Sequence, residues 1–364
     1  MNDEYYMKIA LSEAKRGCGF VNPNPMVGAV IVKNDEIIGT GYHEKYGKLH
    51  AERNAIASCQ KSIEGATMYV TLEPCCHYGK TPPCTEAIIE SQISTVIIGS
   101  KDSNPLVAGR GINVLKKHGI VVKTGVLENE CLKLNEVFFH YIKTRTPFVV
   151  MKYAMTLDGK IATRTGKSKW ITGEAARKHV HTSRHKYSSI MVGIGTVLAD
   201  DPMLNCRMPN GRNPKRIVCD TNLQIPLSSK IVETANEIPT YIATAAENTE
   251  KVTQLQKKGC YIINTPKKDE YLDLNILMTQ LGSENIDSIL LEGGSTLNYN
   301  ALNSGIVNKI QAYIAPKIFG GSQAIPSVGG VGIDNPKDAF KFVNRKITVL
   351  GEDILLEFDM KEGE

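Results

Sequence analysis

The chain has 364 residues, 42% of them hydrophobic and 22% charged, the make-up of a globular protein with length enough for two domains. No apolar run approaches the roughly 20 residues of a membrane helix, and residues 1–6 are polar and acidic, without the apolar segment of a secretory signal. The net charge of +5 is spread without long basic runs, which suits a phosphorylated small molecule better than nucleic acid; a cytoplasmic enzyme is the expectation.

Residues 3–16 carry Tyr6, Ile9, Ala10 and Leu11 at the spacing of an amphipathic helix. Apolar, β-branched segments at 27–32 and 37–42, split by Asn34-Asp35, predict a hairpin. A helix at 50–58, a strand at 68–72, a helix at 85–90, a strand at 95–99, a helix at 111–118, a strand at 120–123 and a helix at 128–143 complete an α/β layered domain. The polar stretch Thr144-Arg145-Thr146-Pro147 then separates domains expected at 1–145 and 146–364. The second alternates again: strand 148–154, helix 174–186, strands 189–193, 215–220 and 239–243, helix 249–258, strand 260–263, helix 272–281, strand 287–291, helix 295–303, and strands near 308–314 and 353–359. This predicts a mostly parallel sheet with antiparallel strands at its end. The apolar strand near 308–314 also suits pairing across a subunit interface, so a homo-oligomer is expected.

Nine cysteines, an odd number, argue against a disulfide framework. Cys18, Cys59, Cys131, Cys206, Cys219 and Cys260 stand alone and read as buried thiols. Cys75, Cys76 and Cys84 cluster. With His50-Ala51-Glu52 upstream and Pro74 before Cys75, they suggest zinc: one His and two thiolates leave the fourth tetrahedral position to water. Zinc brings the pKa of such a water near neutrality. Glu52, two residues from His50, is close to the metal without binding it, which suits a catalytic group carrying protons to a ring nitrogen and to leaving ammonia. Cys75 and Cys84 each precede helical sequence, whose N-terminus favours thiolate. A lone H-A-E or a lone cysteine pair is common by chance, whereas the ordered combination after a hairpin is specific. A fourth ligand from Cys76 or His77 would instead close a structural site.

The arrangement resembles the cytidine deaminase superfamily, with its H-x-E and P-C-x-x-C signature. Here eight residues, 76–83, separate the cysteines. That wider spacing is similar to the deaminase half of the bacterial riboflavin-pathway deaminase–reductase family, as are Asn22-Pro23-Asn24-Pro25-Met26-Val27-Gly28-Ala29, Gly41-Tyr42-His43 and Asp102-Ser103-Asn104-Pro105. The resemblance implies a substrate pocket lined by Asn24, His43, His77, Lys80, Asp102 and Asn104, with Lys80 a phosphate partner.

Further along, no strand leads into G-x-G-x-x-G; Gly193-Ile194-Gly195 lacks the third glycine. Gly293-Gly294, between a buried strand and a helix, reads either as a phosphate-binding helix start or as a tight turn. Residues 148–162, 168–172, Arg184, 192–197, 200–202 and 204–207 resemble the reductase of the same family, so the resemblance covers essentially the whole chain. It implies an N-terminal cytidine-deaminase-like three-layer α/β domain and a C-terminal dihydrofolate-reductase-like α/β domain. The implied activity is zinc-dependent hydrolytic deamination of 2,5-diamino-6-ribosylamino-4(3H)-pyrimidinone 5′-phosphate. NADPH-dependent reduction of the ribosyl group then gives 5-amino-6-(5-phosphoribitylamino)uracil.

By the same resemblance, Ala154, Trp170, Thr196, Asp200, Thr221, Gly294, Ser295, Thr296, Leu297, Asn298, Tyr299 and Asn300 would contact NADPH. Ser168, Arg184, Leu204, Arg207 and Glu292 would contact substrate, with Arg184 and Arg207 gripping its phosphate. Lys152 and Glu292 would flank the reacting ribose carbon as catalytic groups. Trp170, the single tryptophan, also reads as core, and Asp158 before Gly159 reads as a turn residue. Lys152, on an apolar strand, would be costly to bury unpaired. Two competing classes remain. A nucleic-acid-editing deaminase would need a basic, aromatic surface where this chain offers Lys80 and two prolines. A non-catalytic zinc scaffold would have no use for Glu52.

Overall fold

Asn34 and Asp35 have φ of 52° and 59°, the left-handed pair that a tight two-residue turn requires. They join β1 (Gly28–Lys33) to β2 (Glu36–Tyr42) with Lys33 opposite Glu36. The expected hairpin is thus present in this computed structural model, which describes residues 2–79, 81–103 and 108–361. The chain divides into two units, residues 1–145 and 146–364.

The first unit runs α1 (Asp3–Lys15), β1, β2, α2 (Ala51–Ser58), β3 (Thr67–Leu72), α3 (Cys84–Glu90), β4 (Thr95–Ser100), α4 (Arg110–Lys117), β5 (Val121–Thr124), α5 (Glu128–Leu134) and α6 (Glu136–Thr144). Its sheet has the order β2-β1-β3-β4-β5, antiparallel around β1 and parallel beyond β3. Successive residues of a strand face opposite sides. Ala29 and Ile31 therefore pack with Ala51, Ala55, Ile88 and Leu115, while Val30 and Val32 pack with Tyr6, Met7, Ala10 and Cys131. These two cores make three layers. The helix expected over 128–143 is broken at Asn135, whose side chain accepts from Met26 N–H at 2.8 Å and donates to Met26 O at 2.9 Å.

The second unit runs β6 (Phe148–Thr156), β7 (Lys160–Ala162), α7 (Glu174–Lys186), β8 (Ser189–Gly193), α8 (Ile194–Asp200), β9 (Lys215–Cys219), α9 (Lys230–Glu233), β10 (Thr240–Thr244), α10 (Thr249–Lys257) and β11 (Cys260–Asn264). It continues with β12 (Lys267–Lys268), β13 (Tyr271–Leu272), α11 (Leu274–Ser283), β14 (Ser288–Leu291), α12 (Ser295–Asn303), β15 (Val307–Ala315), β16 (Ile325–Pro326), β17 (Phe342–Leu350) and β18 (Asp353–Met360). Nine strands form one sheet in the order β11-β10-β9-β8-β14-β6-β15-β18-β17. It is parallel through β15 and antiparallel at β18 and β17, as the strand pattern predicts. Two expectations change. Strand β15 is hydrogen-bonded on both sides, to β6 and β18, so it has no edge to offer a partner subunit. Helix α8 and the outer strand β17 have no counterpart in the sequence reading. In this sheet the carboxyl ends of β8, β9 and β14 lead into the segments at 193–196, 220–222 and 292–296, where open α/β sheets bind ligands.

Candidate active sites

In the first unit, Gly41 lets α2 lie directly on β2: a Cβ there would sit 2.3 Å from Ala55 N and 2.6 Å from Ala51 O. That contact fixes the start of α2, where His50 is the extended residue before the first turn and Glu52 lies inside it. Cys84 opens α3. Cys75 does not start a helix, contrary to expectation; instead its Sγ accepts the Cys84 N–H at 3.3 Å, so one helix start serves both sulfurs.

His50 Nδ1 lies 3.5 Å from Cys75 Sγ and 3.4 Å from Cys84 Sγ. A tetrahedral zinc with bonds of about 2.0 Å to nitrogen and 2.3 Å to sulfur separates such ligands by about 3.5 Å, so the donor set fits that ion. It is the single such group of three or more His, Cys, Asp or Glu among the described residues. Hydrogen bonding with Cys84, reinforced by His50, pulls the Cys75 thiol down to about 4, while Cys84 is pushed the other way. Glu52 is buried, and burial pushes its carboxyl up, poising it to hold a proton. Neither Cys76 nor His77 joins the group; His77 is exposed, and burial pushes the Cys76 thiol up.

Buried His43 stands edge-on to His50 with ring centroids 5.3 Å apart. Its Nδ1 is 3.0 Å from Leu49 O and its Nε2 3.2 Å from Asn24 Nδ2, so the ring donates to Leu49 and accepts from Asn24. Burial pushes its pKa down, consistent with that neutral form. Asp102 is buried, and its N–H donates to Glu73. Lys80 and Asn104 lie outside the described residues.

Two residues that sequence reasoning missed hold this site together. The Glu73 carboxylate accepts from the N–H groups of Asp102, Gly109 and Ile112 at 3.3, 3.0 and 3.2 Å. It thereby ties the segment leading to Cys75 to the segment carrying Asp102. Asn135 clamps the backbone beside Asn24. Signals existed for both: an acid between an apolar strand and Pro74 needs buried donors, and an asparagine inside an expected helix offers its side chain to another backbone.

In the second unit, Glu292 collects two cations. Arg184 Nε and Nη2 reach its two oxygens at 2.7 and 2.9 Å, and Lys152 Nζ stands 3.3 Å away. Burial alone would raise the Glu292 carboxyl, but Arg184 and Lys152 hold it well below the usual carboxylate range. The group opens on a cavity of about 310 Å³ lined also by Ala154, Ser168, Trp170, His181, Leu204 and Arg207. A second cavity of about 560 Å³ shares Ser168, Thr196, Asp200 and Gly294 with the first and extends to Thr221, Ser295, Thr296, Leu297 and Asn300.

Trp170 is 62% exposed and stacks on Arg177, so it is not core. Asp158 accepts from Thr156 Oγ1, Phe319 N–H and Gly320 N–H, which settles it as a turn residue. Arg184 is already engaged by the protein: Nε and Nη2 bind Glu292 and Nη1 binds Asn205 O, which leaves two of its five N–H donors for a ligand. Asn298 Nδ2 donates to Ser327 O and Tyr299 Oη to Gly332 O, and neither residue lines the larger cavity. The start of α12 has no side-chain cap, and buried Ser295 Oγ has no partner among the described residues. Free N–H groups and an orphaned hydroxyl at a helix start fit a dinucleotide's phosphates.

Comparison with known proteins accords with the two-unit architecture. The cytidine and deoxycytidylate deaminase zinc-binding region matches residues 1–100, and the RibD C-terminal domain matches residues 147–356. The riboflavin biosynthesis protein RibD of Actinobacillus pleuropneumoniae is 54% identical across 98% of this chain and 95% of its own. RibD of Acinetobacter baumannii superposes with a TM-score of 0.89 at 35% identity, with 99% of each chain covered. A diaminohydroxyphosphoribosylaminopyrimidine deaminase/5-amino-6-(5-phosphoribosylamino)uracil reductase of Thermotoga maritima gives 0.86 at 40% identity, again over 99% of each chain. Fold and sites together define a class, a cytidine-deaminase-like zinc unit joined to a dihydrofolate-reductase-like α/β unit. Within that class, the chain belongs to the RibD family of riboflavin biosynthesis proteins.

Proposed function

We propose that the chain is a bifunctional enzyme that deaminates 2,5-diamino-6-ribosylamino-4(3H)-pyrimidinone 5′-phosphate and then reduces the ribosyl group, giving 5-amino-6-(5-phosphoribitylamino)uracil. The carrying observation is the pairing of a three-ligand cluster beside buried Glu52 with a Lys152–Glu292–Arg184 group lining a cavity that shares Ser168, Thr196, Asp200 and Gly294 with a larger, nucleotide-sized one. His50, Cys75 and Cys84 hold zinc, which when bound acidifies the attacking water. Glu52 carries one proton of that water to the ring nitrogen and then the second, left on the added oxygen, to the amino group that departs as ammonia. Asn24 and His43 orient the ring, Asp102 lines the pocket, and His77, Lys80 and Asn104 complete it.

In the second unit NADPH supplies the hydride to C1′. Gly294, Ser295 and Thr296 would hold its phosphates, and Ala154, Trp170, Thr196, Asp200, Thr221, Leu297 and Asn300 would hold the rest of it. Ser168, Leu204 and Arg207 hold the substrate. As the ribosyl ring opens, its oxygen needs a proton. Glu292, held ionised by two cations, is not the donor; it positions Lys152, whose ammonium is.

No described helix is long and apolar enough to cross a membrane, in keeping with a cytoplasmic enzyme acting on phosphorylated pyrimidines. A homo-oligomer also belongs to this reading. Support comes from β17, an outer strand with Ile347 and Val349 exposed at 56% and 71%. A solution mass of 39.9 kDa by light scattering would refute it.

NADPH absorbance and ammonia release, followed with the diamino substrate, test the assignment. The native protein should do both. Glu52→Gln should do neither, and adding the deaminated uracil compound should restore NADPH oxidation. No oxidation with either compound would reject the reductase half.

A further inference from the structure

Two histidines one turn apart on α7 reach the same loop. His185 Nδ1 accepts the Arg212 N–H at 2.9 Å, and His181 Nδ1 accepts the Arg207 N–H at 3.2 Å. They differ in what lies beyond the ring. His185 is buried, whereas His181 lines the smaller cavity with Lys152, Arg184 and Glu292. A neutral imidazole whose Nδ1 accepts carries its proton on Nε2. Burial, helped by Arg184 and Arg207, brings the His181 pKa down to about 4, which keeps the ring in that neutral form. Among the described residues no protein group bonds its Nε2.

The cations around this cavity show what the free N–H is for. Lys152 and Arg184 are paired with Glu292, Lys169 with Asp200, and Arg177 donates to Thr172 O. Arg207 is the remaining cationic lining residue, and its side chain has no protein partner among the described residues. Its backbone is the group that His181 holds. One spare guanidinium and one spare neutral donor, tied by a hydrogen bond, line the same cavity as Lys152.

We propose that His181 is a substrate-binding residue whose Nε2–H donates to a phosphate oxygen of the ribosyl phosphate, with Arg207 supplying the charge. This rests on reading the smaller cavity as the ribosyl phosphate site. Because a hydrogen bond to a charged group contributes about 1.5–3 kcal/mol, its loss should weaken binding about 10- to 100-fold.

Two substitutions separate this role from simple anchoring of the loop. In His181→Asn the amide oxygen reaches the place of Nδ1 and keeps the Arg207 N–H, while the Nε2 donor is lost. In His181→Gln the amide N–H reaches the place of Nε2, while the anchor is lost. Ribose 5-phosphate is titrated calorimetrically into the full-length, zinc-loaded protein holding NADP⁺. His181→Asn should bind it about 10- to 100-fold more weakly than the native protein, and His181→Gln within about threefold. Any result in which Asn is not the weaker binder overturns the proposal, as does loss of NADP⁺ along with ribose 5-phosphate in His181→Asn, which marks a collapsed loop. Failure of the native protein to bind ribose 5-phosphate would reject the reading of the cavity and the inference with it.

Discussion

Glu292 shows how one side chain is made to serve. Its carboxylate is buried, which is tolerable because Arg184 and Lys152 compensate the charge. Replacing it with alanine would leave two buried cations facing each other, and we expect a loss of about 3–5 kcal/mol in urea unfolding of the second unit. The pH dependence has a definite sign. A carboxylate held below its ordinary value contributes stability that is present above the unfolded pKa of about 4.3 and is lost as pH falls through the folded value. Stability measured from pH 7 down to pH 3 should therefore fall below about pH 4. The fall should be shallower in Glu292→Gln, and equal slopes in the two proteins would contradict the ion-pair account. Glu52 is expected to matter to chemistry and not to metal. Glu52→Gln should lower ammonia release by about 10²–10⁴-fold while zinc content by mass spectrometry stays at the native value.

At the scale of elements, α2 is the decisive piece, because it carries His50 and Glu52 and rests on a strand with no side chain at Gly41. Gly41→Val would push the helix off β2. Overpacking of this kind costs about 1–3 kcal/mol, and the displaced His50 should lower zinc occupancy after dialysis against a weak chelator. Full occupancy in a normally stable variant would show that α2 is positioned by other contacts. The strap from Glu73 to the N–H groups of Asp102, Gly109 and Ile112 acts between elements in the same way. Glu73→Ala should raise KM for deamination more than it lowers kcat, since it loosens a pocket wall and leaves the zinc ligands in place. A pure kcat effect would argue against this role.

At the scale of the whole molecule, each unit has its own cores and its own site. Dialysis against a strong zinc chelator should abolish ammonia release and leave NADPH oxidation with the deaminated uracil compound unchanged. Parallel loss of both rates would show that the second unit depends on the first.

Much of this was legible from one dimension. The apolar, β-branched run in 28–33, helix spacing in 174–186 and 295–303, and the turn pair Asn34-Asp35 are local signals, and local physics decides them. The zinc ligands were legible because metal chemistry admits few donor types, so order and identity alone narrow the choice. The carry-over of whole motifs placed Lys152 and Glu292 in one site, although 140 residues separate them. Contacts that depend on three-dimensional partners were not legible. The fork of Arg184 could be assigned to phosphate or to carboxylate from sequence, and only the fold brings Glu292 to it. The bonds of Asn298 to Ser327 O and of Tyr299 to Gly332 O likewise depend on segments about 30 residues further along the chain. Glu73 and Asn135 were signalled by their own residue types, but their partners were not, because the backbone groups they bind lie far along the chain and carry no residue-type signal. The sequence by itself determined the class of chemistry and the alternation of elements, because both follow from residue type and spacing. Tertiary structure alone decided which charges are spent on the protein and which remain for a ligand, because that depends on distance between segments that the chain order does not record.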